Sequence, residues 1–169
     1  GLVGSEMCIR DRLASSQTDF VVTTLIDFFR LPNDMPNYAE CTAVNDKTQC
    51  VEALENAVDD SVCDSRFFSY IQLHEFEALL FSSNKGFEFY FSDEHASKTA
   101  SIISSYDNPE DINSSPEGAP SKRLLAIKPD YNKVLEGNLI ALEVGIEAII
   151  EKCPRFAEWM NNIVEKCKD

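Results

Sequence analysis

The alternation of apolar and polar residues in the first half of the chain predicts a strand, a helix and a second strand. Residues 19–29, DFVVTTLIDFF, are rich in β-branched side chains and indicate a buried strand that ends near Asp27. From about Thr48, apolar residues recur at helical spacing and predict an amphipathic helix. Residues 66–73, RFFSYIQL, return to strand character. This order is typical of a βαβ unit, so we expect a parallel sheet flanked by helices.

The periodicity changes after the second predicted strand. Apolar residues three and four positions apart predict a helix from His74 to Phe81. The sequence GFEFYF at 86–91 fits either a short strand or the end of a helix. The segment EHASKTASII at 94–103 predicts another helix, and Asn108 followed by proline is typical of a helix start.

The last third of the chain predicts two helices that meet at Pro154. Apolar residues recur every three or four positions on both sides of this proline, and we expect each helix to bury the resulting stripe. The first stripe comprises Leu135, Leu139, Leu142, Ile146 and Ile149, and the second comprises Phe156, Met160, Ile163 and Cys167.

The first twelve residues, GLVGSEMCIRDR, match the translation of a transposase adapter used to prepare sequencing libraries. We therefore interpret Gly1–Arg12 as non-native and exclude it from reasoning about the fold. The remaining residues are enough for one domain with a substantial core. We expect residues 13–169 to form a single α/β domain that lacks its N-terminal strand and helix.

Charge limits the partners that this chain would bind. The formal net charge is −14, which repels a phosphate backbone at long range. A broad DNA-binding face is therefore not expected, although nucleic acid could still enter through a local basic pocket.

The cysteines outside the adapter are scattered and form no CxxC pair. We expect reduced thiols in a cytoplasmic protein, because a disulfide framework or zinc ribbon would need paired cysteines. These cysteines are Cys41, Cys50, Cys63, Cys153 and Cys167.

No apolar run approaches the ~20 residues needed to cross a bilayer, so no membrane association is expected.

The most apolar segment, Tyr70–Phe81, carries His74, Glu75 and Glu77 in its middle. Burying such groups costs free energy unless they are paired, bound to metal or placed at a cleft edge. At a strand-to-helix junction they would line a cleft above the sheet, and carboxylate oxygens suit Mg²⁺ or Mn²⁺. A zinc-protease HExxH motif is excluded, because Ala78 stands where its second histidine belongs. The alternative is a buried network with a structural role.

Ser121 is predicted to cap a helix whose first turn carries two cations. Because cations at this end oppose the helix dipole, we expect an anion nearby. This anion is either a phosphate or a set of glutamates from elsewhere in the chain, and both arrangements bring the segment to residues 74–77. The phosphate-binding set would be Ser121, Lys122, Arg123 and Lys133. The alternative carboxylates are Glu75, Glu77 and Glu117.

Asp27 is a third candidate. Open α/β sheets bind ligands at the carboxyl ends of their strands, which is where the first predicted strand places this side chain. The alternative is a loop cap before Leu31 and Pro32.

Ordered segments between Asp19 and Trp159 resemble the DUF4276 family. They are VVTTLIDFFRLPNDMP, RFFSYIQLHEFEALLF, PEDINSSPEGAPSKRL, YNKVLEG and CPRFAEW. The resemblance implies a Toprim-like (Rossmannoid) α/β domain, with a parallel sheet flanked by helices and a helical C-terminal third. It also implies Mg²⁺-dependent phosphodiester chemistry and an ABC- or AAA-type ATPase partner encoded nearby in phage-defence gene clusters.

The chain departs from the family pattern in two places. The EGxTE block that supplies a general acid or base in such proteins would lie before Leu13. A DxD motif is also missing, because Asp27 is followed by Phe28 and Phe29.

Two functions follow from these patterns. In the first, the protein is a cytoplasmic metal-dependent nuclease or phosphodiesterase working with the ATPase; Ser121 helps to bind phosphate, and Lys122, Arg123 and Lys133 neutralise it. Its catalytic residues would be His74, Glu75 and Glu77, and the ligands of Mg²⁺ or Mn²⁺ would be Asp27, Glu75 and Glu77. In the second, the protein is a non-catalytic binding or regulatory subunit, whose polar cluster locks the core and whose acidic surface docks a basic partner.

Overall fold

The computed structural model describes residues 2–15, 19–112 and 118–168, which form a mixed α/β structure that is mostly helical. These residues divide into two compact units, Gly1–Leu73 with Asn161–Asp169, and His74–Met160. The prediction of a single domain over 13–169 stays a prediction. The first unit includes helix α1, Leu2–Leu13, which contains residues 2–12 of the predicted adapter.

The first unit contains the parallel strands that the sequence predicts. Strand β1 (Val22–Thr23) pairs with β3 (Phe67–Phe68), and β2 (Ile26–Asp27) pairs with β4 (Ile71–Gln72). Both pairs are parallel, which confirms the predicted sheet type.

Each of the two predicted strands is broken into two short pieces. At the break, the hydroxyl of Thr24 donates to the carbonyl of Tyr70 (3.1 Å) and accepts from its N–H (2.9 Å). A side chain therefore makes the bonds that a continuous backbone ladder would make. Carboxylates accept hydrogen bonds from the neighbouring backbone N–H groups: Ser69 N–H donates to Asp59 (2.7 Å), and Ile71 N–H donates to Glu55 (2.7 Å).

Helix α3, Lys47–Val62, lies between strands β2 and β3 in the chain and confirms the helix predicted from about Thr48. Its start is fixed by Asp46, whose carboxylate accepts from the N–H groups of Thr48 and Gln49. Its apolar stripe packs against the strands, and the buried members are Cys50, Val51, Leu54, Val58 and Val62. A short 3₁₀ turn, Phe28–Arg30, and helix α2, Tyr38–Thr42, precede it.

The prediction that all cysteines are reduced is wrong for two of them. Cys41 at the end of α2 and Cys50 in the first turn of α3 form a disulfide. The packing of α2 against α3 brings these buried residues together, and their spacing along the chain did not indicate this pairing. This disulfide does not support the expectation of a reducing compartment.

The second unit is built from helices. Helix α4 spans Glu77–Leu80, α5 spans Lys85–Tyr90, α6 spans Asp93–Ile103 and α7 spans Pro120–Ile127. The ambiguous GFEFYF segment is therefore helical, and the helix predicted over 94–103 is confirmed. The start predicted at Asn108 is also confirmed, but it opens only a 3₁₀ turn, Pro109–Asp111.

The helix predicted from His74 begins three residues later. His74 has a φ of 71°, in the left-handed region that a right-handed helix excludes. This residue ends the extended segment and turns the chain, so His74 and Glu77 do not share a helix face as their spacing suggested.

The segment from Leu135 to Lys166 contains three helices instead of two: α8 (Leu135–Val144), α9 (Ile146–Lys152) and α10 (Pro154–Lys166). The joint predicted at Pro154 is confirmed. The additional break lies at Gly145, whose φ of 79° only glycine adopts readily.

The first predicted stripe is buried only at Ile149, which lies on α9. On α8, Leu139 is half-buried, Leu135 is 62% exposed and Leu142 is 77% exposed. The buried residues of this helix are instead Gly137, Ile140 and Val144. The helix presents its other apolar side inward because α5 approaches it closely there: a Cβ on Gly86 would lie 2.5 Å from the carbonyl oxygen of Ile140.

The second predicted stripe is buried only at its start. Phe156 is buried, Met160 and Ile163 are half-buried, and Cys167 is exposed.

Across the described ranges, every helix is too short or too polar to cross a membrane.

Candidate functional site

The side chains that the sequence singles out in the second unit lie at three turns. His74 and Glu75 precede α4, Ser121 is in the first turn of α7, and Lys133 precedes α8. The predicted meeting of the basic segment with residues 74–77 is confirmed for two pairs: Ser121 contacts Glu75 and Lys133 contacts Glu77.

Glu75 occupies the start of helix α7. Its carboxylate accepts hydrogen bonds from both the N–H and the hydroxyl of Ser121, each at 3.0 Å. The N-cap residue of this helix is Ala119, which has no side chain that could accept a bond from the free N–H groups. Glu75 supplies that acceptor from another part of the chain, and its negative charge also opposes the unfavourable effect of the two cations in the first turn.

Ser121 therefore differs from its predicted role. Helix α7 begins one residue earlier, at Pro120, so Ser121 lies inside the first turn and is not the cap. Proline is favoured at this position because it lacks the N–H that would stay unpaired. As a result Ser121 donates to a carboxylate and does not accept from the helix.

Glu77 is fully buried, with 0% of its surface exposed. One carboxylate oxygen, Oε2, accepts from Lys133 Nζ at 2.8 Å, and the other, Oε1, has no hydrogen-bond partner. Lys133 is 41% exposed, so the pair joins a buried anion to a cation at the surface. Removing the cation would leave a desolvated carboxylate, which is strongly destabilising.

Tyr131 is buried beside this pair. Burial, followed by the negative charges of Glu77 and Glu136, raises the pKa of its hydroxyl above the ordinary value. The hydroxyl has no hydrogen-bond partner. Tyr131 is therefore neutral at physiological pH and cannot act there as a base.

The remaining members of the predicted phosphate-binding set differ in their surroundings. Arg123 donates to the carbonyl of Gly118 (2.7 Å) and to the hydroxyl of Tyr106 (3.0 Å), and its guanidinium lies over the Tyr106 ring. Lys122 is exposed. Glu117, the third alternative carboxylate, lies outside the described residues.

Asp27 belongs to the first compact unit, whereas Glu75 and Glu77 belong to the second. It ends strand β2, as predicted, and lies opposite Gln72 in the parallel pair. Within residues 2–15, 19–112 and 118–168, no three histidine, cysteine, aspartate or glutamate side chains gather in a group that could hold a metal ion. Binding of Mg²⁺ or Mn²⁺ by Asp27, Glu75 and Glu77 stays a prediction.

A third glutamate has a role that the sequence analysis missed. Glu110 is buried and accepts from the N–H groups of Arg155 (3.0 Å) and Phe156 (3.2 Å), in the first turn of α10. It caps this helix from a distant segment, as Glu75 caps α7. Its position after Pro109 marked a turn but gave no sign of the helix that it would reach.

Next to this cap lies a buried thiol. Cys153 shares a hydrogen bond with the hydroxyl of Ser82 at 3.3 Å. Burial raises the pKa of Cys153 to about 12, with a smaller contribution from Glu110. The thiol is therefore protonated at neutral pH and is not a nucleophile.

The first unit contains an open cleft of about 540 Å³. It lies between Asp19–Val21, Ser65–Arg66 and Lys166–Cys167. None of the predicted site residues lines it. Its two cations already bind protein acceptors, because Arg66 pairs with Asp64 and Lys166 donates to the carbonyl of Ser65.

Residues 5–164 match the family described as a domain of unknown function, DUF4276. This match spans nearly the whole chain and includes part of the predicted adapter. No curated protein and no solved structure matches the chain.

Proposed function

The chain belongs to the DUF4276 family, and we propose that it is a non-catalytic binding or regulatory subunit. In this proposal the acidic and basic groups around residues 74–77 hold the second unit together, and the acidic surface docks a basic partner. The family resemblance suggests an ABC- or AAA-type ATPase as that partner, and phage defence as the setting.

The observation that carries this proposal is the internal pairing of the predicted catalytic groups. Glu75 accepts twice from Ser121, and Glu77 accepts from Lys133. A phosphate at the start of α7 would have to displace the Glu75 carboxylate from the donors that it uses. A metal at Glu77 would have to reach a fully buried oxygen beside a cation.

Charge also supports a binding role. The formal net charge of −14 favours encounter with a basic surface and disfavours nucleic acid. Electrostatic complementarity of this kind mainly raises the rate of association and the selectivity for a partner.

The competing function is a Toprim-like, Mg²⁺- or Mn²⁺-dependent nuclease or phosphodiesterase. One observation favours it: Oε1 of Glu77 is buried and accepts no hydrogen bond. Buried oxygens without a partner are uncommon and sometimes mark a site for an ion or a water. Asp27, Glu75 and Glu77 would be its metal ligands.

Activity and stability measured on the same variants separate the two functions. The wild type, Glu75→Gln and Lys122→Ala would be incubated with single- and double-stranded nucleic acid and Mn²⁺, with and without the ATPase, and their thermal unfolding recorded. We expect no Mn²⁺-dependent cleavage by any of them. Glu75→Gln should lower Tm by several degrees, since roughly 1 kcal/mol shifts Tm by about 2–4 °C in a chain of this size.

Lys122→Ala is the matched control, because Lys122 lies in the same helix turn but is exposed. Its Tm should equal that of the wild type. Cleavage by the wild type that disappears in Glu75→Gln, at an unchanged Tm, would establish the catalytic function and reject the structural one.

A further inference from the structure

Helix α8 has apolar side chains on the side that faces away from the second unit. Leu135 and Leu142 are 62% and 77% exposed, and Val134, just before the helix, is 74% exposed. Single exposed apolar residues are ordinary, but several at helical spacing on one side of a helix are typical of a surface that contacts another molecule.

The opposite side of α8 is fixed, so these residues cannot turn inward. Ile140 and Val144 are buried against the unit. A side chain at Gly86 on α5 would meet the backbone of Ile140 at 2.5 Å, which shows how closely the two helices approach. Rotating α8 to bury Leu142 would break this contact.

The next helix also has outward apolar residues. Leu135 and Leu142 are seven positions apart on α8, and Ile146 and Ile150, both partly exposed, are four positions apart on α9, after the break at Gly145. Within each helix, these intervals are those of a seam between two packed helices. We call Val134, Leu135, Leu142, Ile146 and Ile150 the outer stripe.

Acidic residues outnumber basic ones along the outer stripe. Residues 133–152 contain four glutamates and two lysines, Lys133, which pairs with Glu77, and Lys152, which is exposed. Two of the four, Glu147 and Glu151, are exposed, while Glu136 pairs with Lys128 and Glu143 lies 3.6 Å from Lys85. A second copy of this chain, with a net charge of −14, would bring like charges together at this surface.

We propose that the outer stripe is the docking surface for a cationic amphipathic helix of a partner protein. Its leucines or similar residues would pack on Leu135 and Leu142, and its lysines or arginines would lie beside Glu147 and Glu151. This inference rests on the proposed function as a binding subunit and identifies the surface and the class of partner.

The test uses the intact chain and a defined probe. The probe is a fluorescent helical peptide of about 20 residues with leucines at seam positions and lysines beside them, and binding is followed by anisotropy. We expect saturable binding that weakens with added salt. Leu142→Glu should weaken it about tenfold, the effect of removing one well-packed contact.

The direction of that change is diagnostic, because Leu142→Glu makes the protein more acidic. Non-specific attraction to a cationic peptide would strengthen binding, whereas loss of an apolar contact weakens it. Leu142→Ser, which adds no charge, should weaken binding in the same direction. Leu125→Ser on α7, another exposed leucine, is the matched control and should bind as the wild type does.

Equal binding by Leu142→Glu, Leu142→Ser and the wild type would overturn the inference, as would equal binding of a scrambled peptide of the same composition. A dimer of the chain that Leu142→Glu dissociates would assign the stripe to a second copy and overturn it too. Either result leaves the proposed function standing if no metal-dependent cleavage is found, so the two failures are distinguishable.

Discussion

Helices α3 and α8 both have apolar residues three and four positions apart, but they differ in what lies between those residues. In α3 the intervening positions are mainly polar, as at Glu52 and Glu55, so the helix has one apolar side and buries it. In α8 apolar residues occupy both sides, with Leu142 outward and Ile140 inward. A helix of the first kind determines its own orientation, whereas one of the second kind is oriented by its neighbours.

The largest expected effect is the difference in the free energy of unfolding between truncating Leu54 and truncating Leu142. Leu54→Ala on α3 should lower the free energy of unfolding by about 2–5 kcal/mol, because it leaves a cavity in the core. Leu142→Ala on α8 should change it by less than about 0.5 kcal/mol, because that side chain is mostly in water. Urea unfolding of both variants measures the difference, and a loss of stability as large for Leu142→Ala as for Leu54→Ala would show that Leu142 is buried in the protein in solution.

The second effect concerns how the two helices begin. A local cap, Asp46, starts α3, whereas the turn before α8 is tied to the buried Glu77 by Lys133. Lys133→Ala should cost about 2–4 kcal/mol, somewhat less than breaking a fully buried pair, because Lys133 is partly exposed.

The control for this change is Lys122→Ala, an exposed lysine whose removal should have little effect on the same unfolding curve. The double variant Lys133→Ala with Glu77→Gln should recover part of the loss, because the unpaired charge is gone. No recovery would show that Glu77 is not the reason for the loss.

A smaller effect tests why α8 faces as it does. Replacing glycine by alanine inside a helix ordinarily stabilises it by up to about 1 kcal/mol. Gly86→Ala should instead destabilise the protein by about 1–3 kcal/mol, because the new Cβ would meet the backbone of Ile140. A gain in Tm for this variant would show that close approach of α5 does not set the orientation of α8.

The smallest effect lies in the turn that leads from α3 into β3. Hydrogen bonds from Arg66 lower the pKa of Asp64 to about 2. Because the folded-state pKa lies below the ordinary value, the pair stabilises the protein above about pH 4, and this contribution is lost as pH falls toward 2. Asp64→Asn should therefore be slightly less stable than the wild type at pH 6, and the two unfolding curves should converge near pH 2.

The strands and the long helix of the first unit were predictable, because they depend on local sequence patterns. The β-branched run before Asp27 and the run ending at Leu73 predicted the parallel strands, and the one-sided apolar stripe of α3 predicted its buried face. The breaks in both strands were not predictable, because they depend on Thr24 meeting Tyr70 across the sheet. The Cys41–Cys50 disulfide likewise depends on how α2 and α3 pack.

The contact between the basic segment and residues 74–77 was predictable for a physical reason. Two cations at a helix start favour an anion nearby, and Glu75 and Glu77 were two of the three carboxylates named for that role. The details were not predictable, because they depend on single residues: the start of α7 at Pro120 makes Ser121 a donor, and the left-handed His74 delays α4. Glu110 reaches a helix 45 positions later, and no local pattern encodes such a contact.

The central claim is that Glu75 and Glu77 stabilise the folded second unit through internal hydrogen bonds and do not bind a metal ion. Thermal unfolding of the wild type with and without millimolar Mn²⁺ tests it directly, because any ion that binds the folded state alone raises Tm, by an amount that grows with the logarithm of its concentration above Kd. We expect the same Tm in both conditions. A rise of several degrees that disappears in Glu75→Gln and in Glu77→Gln would contradict the claim.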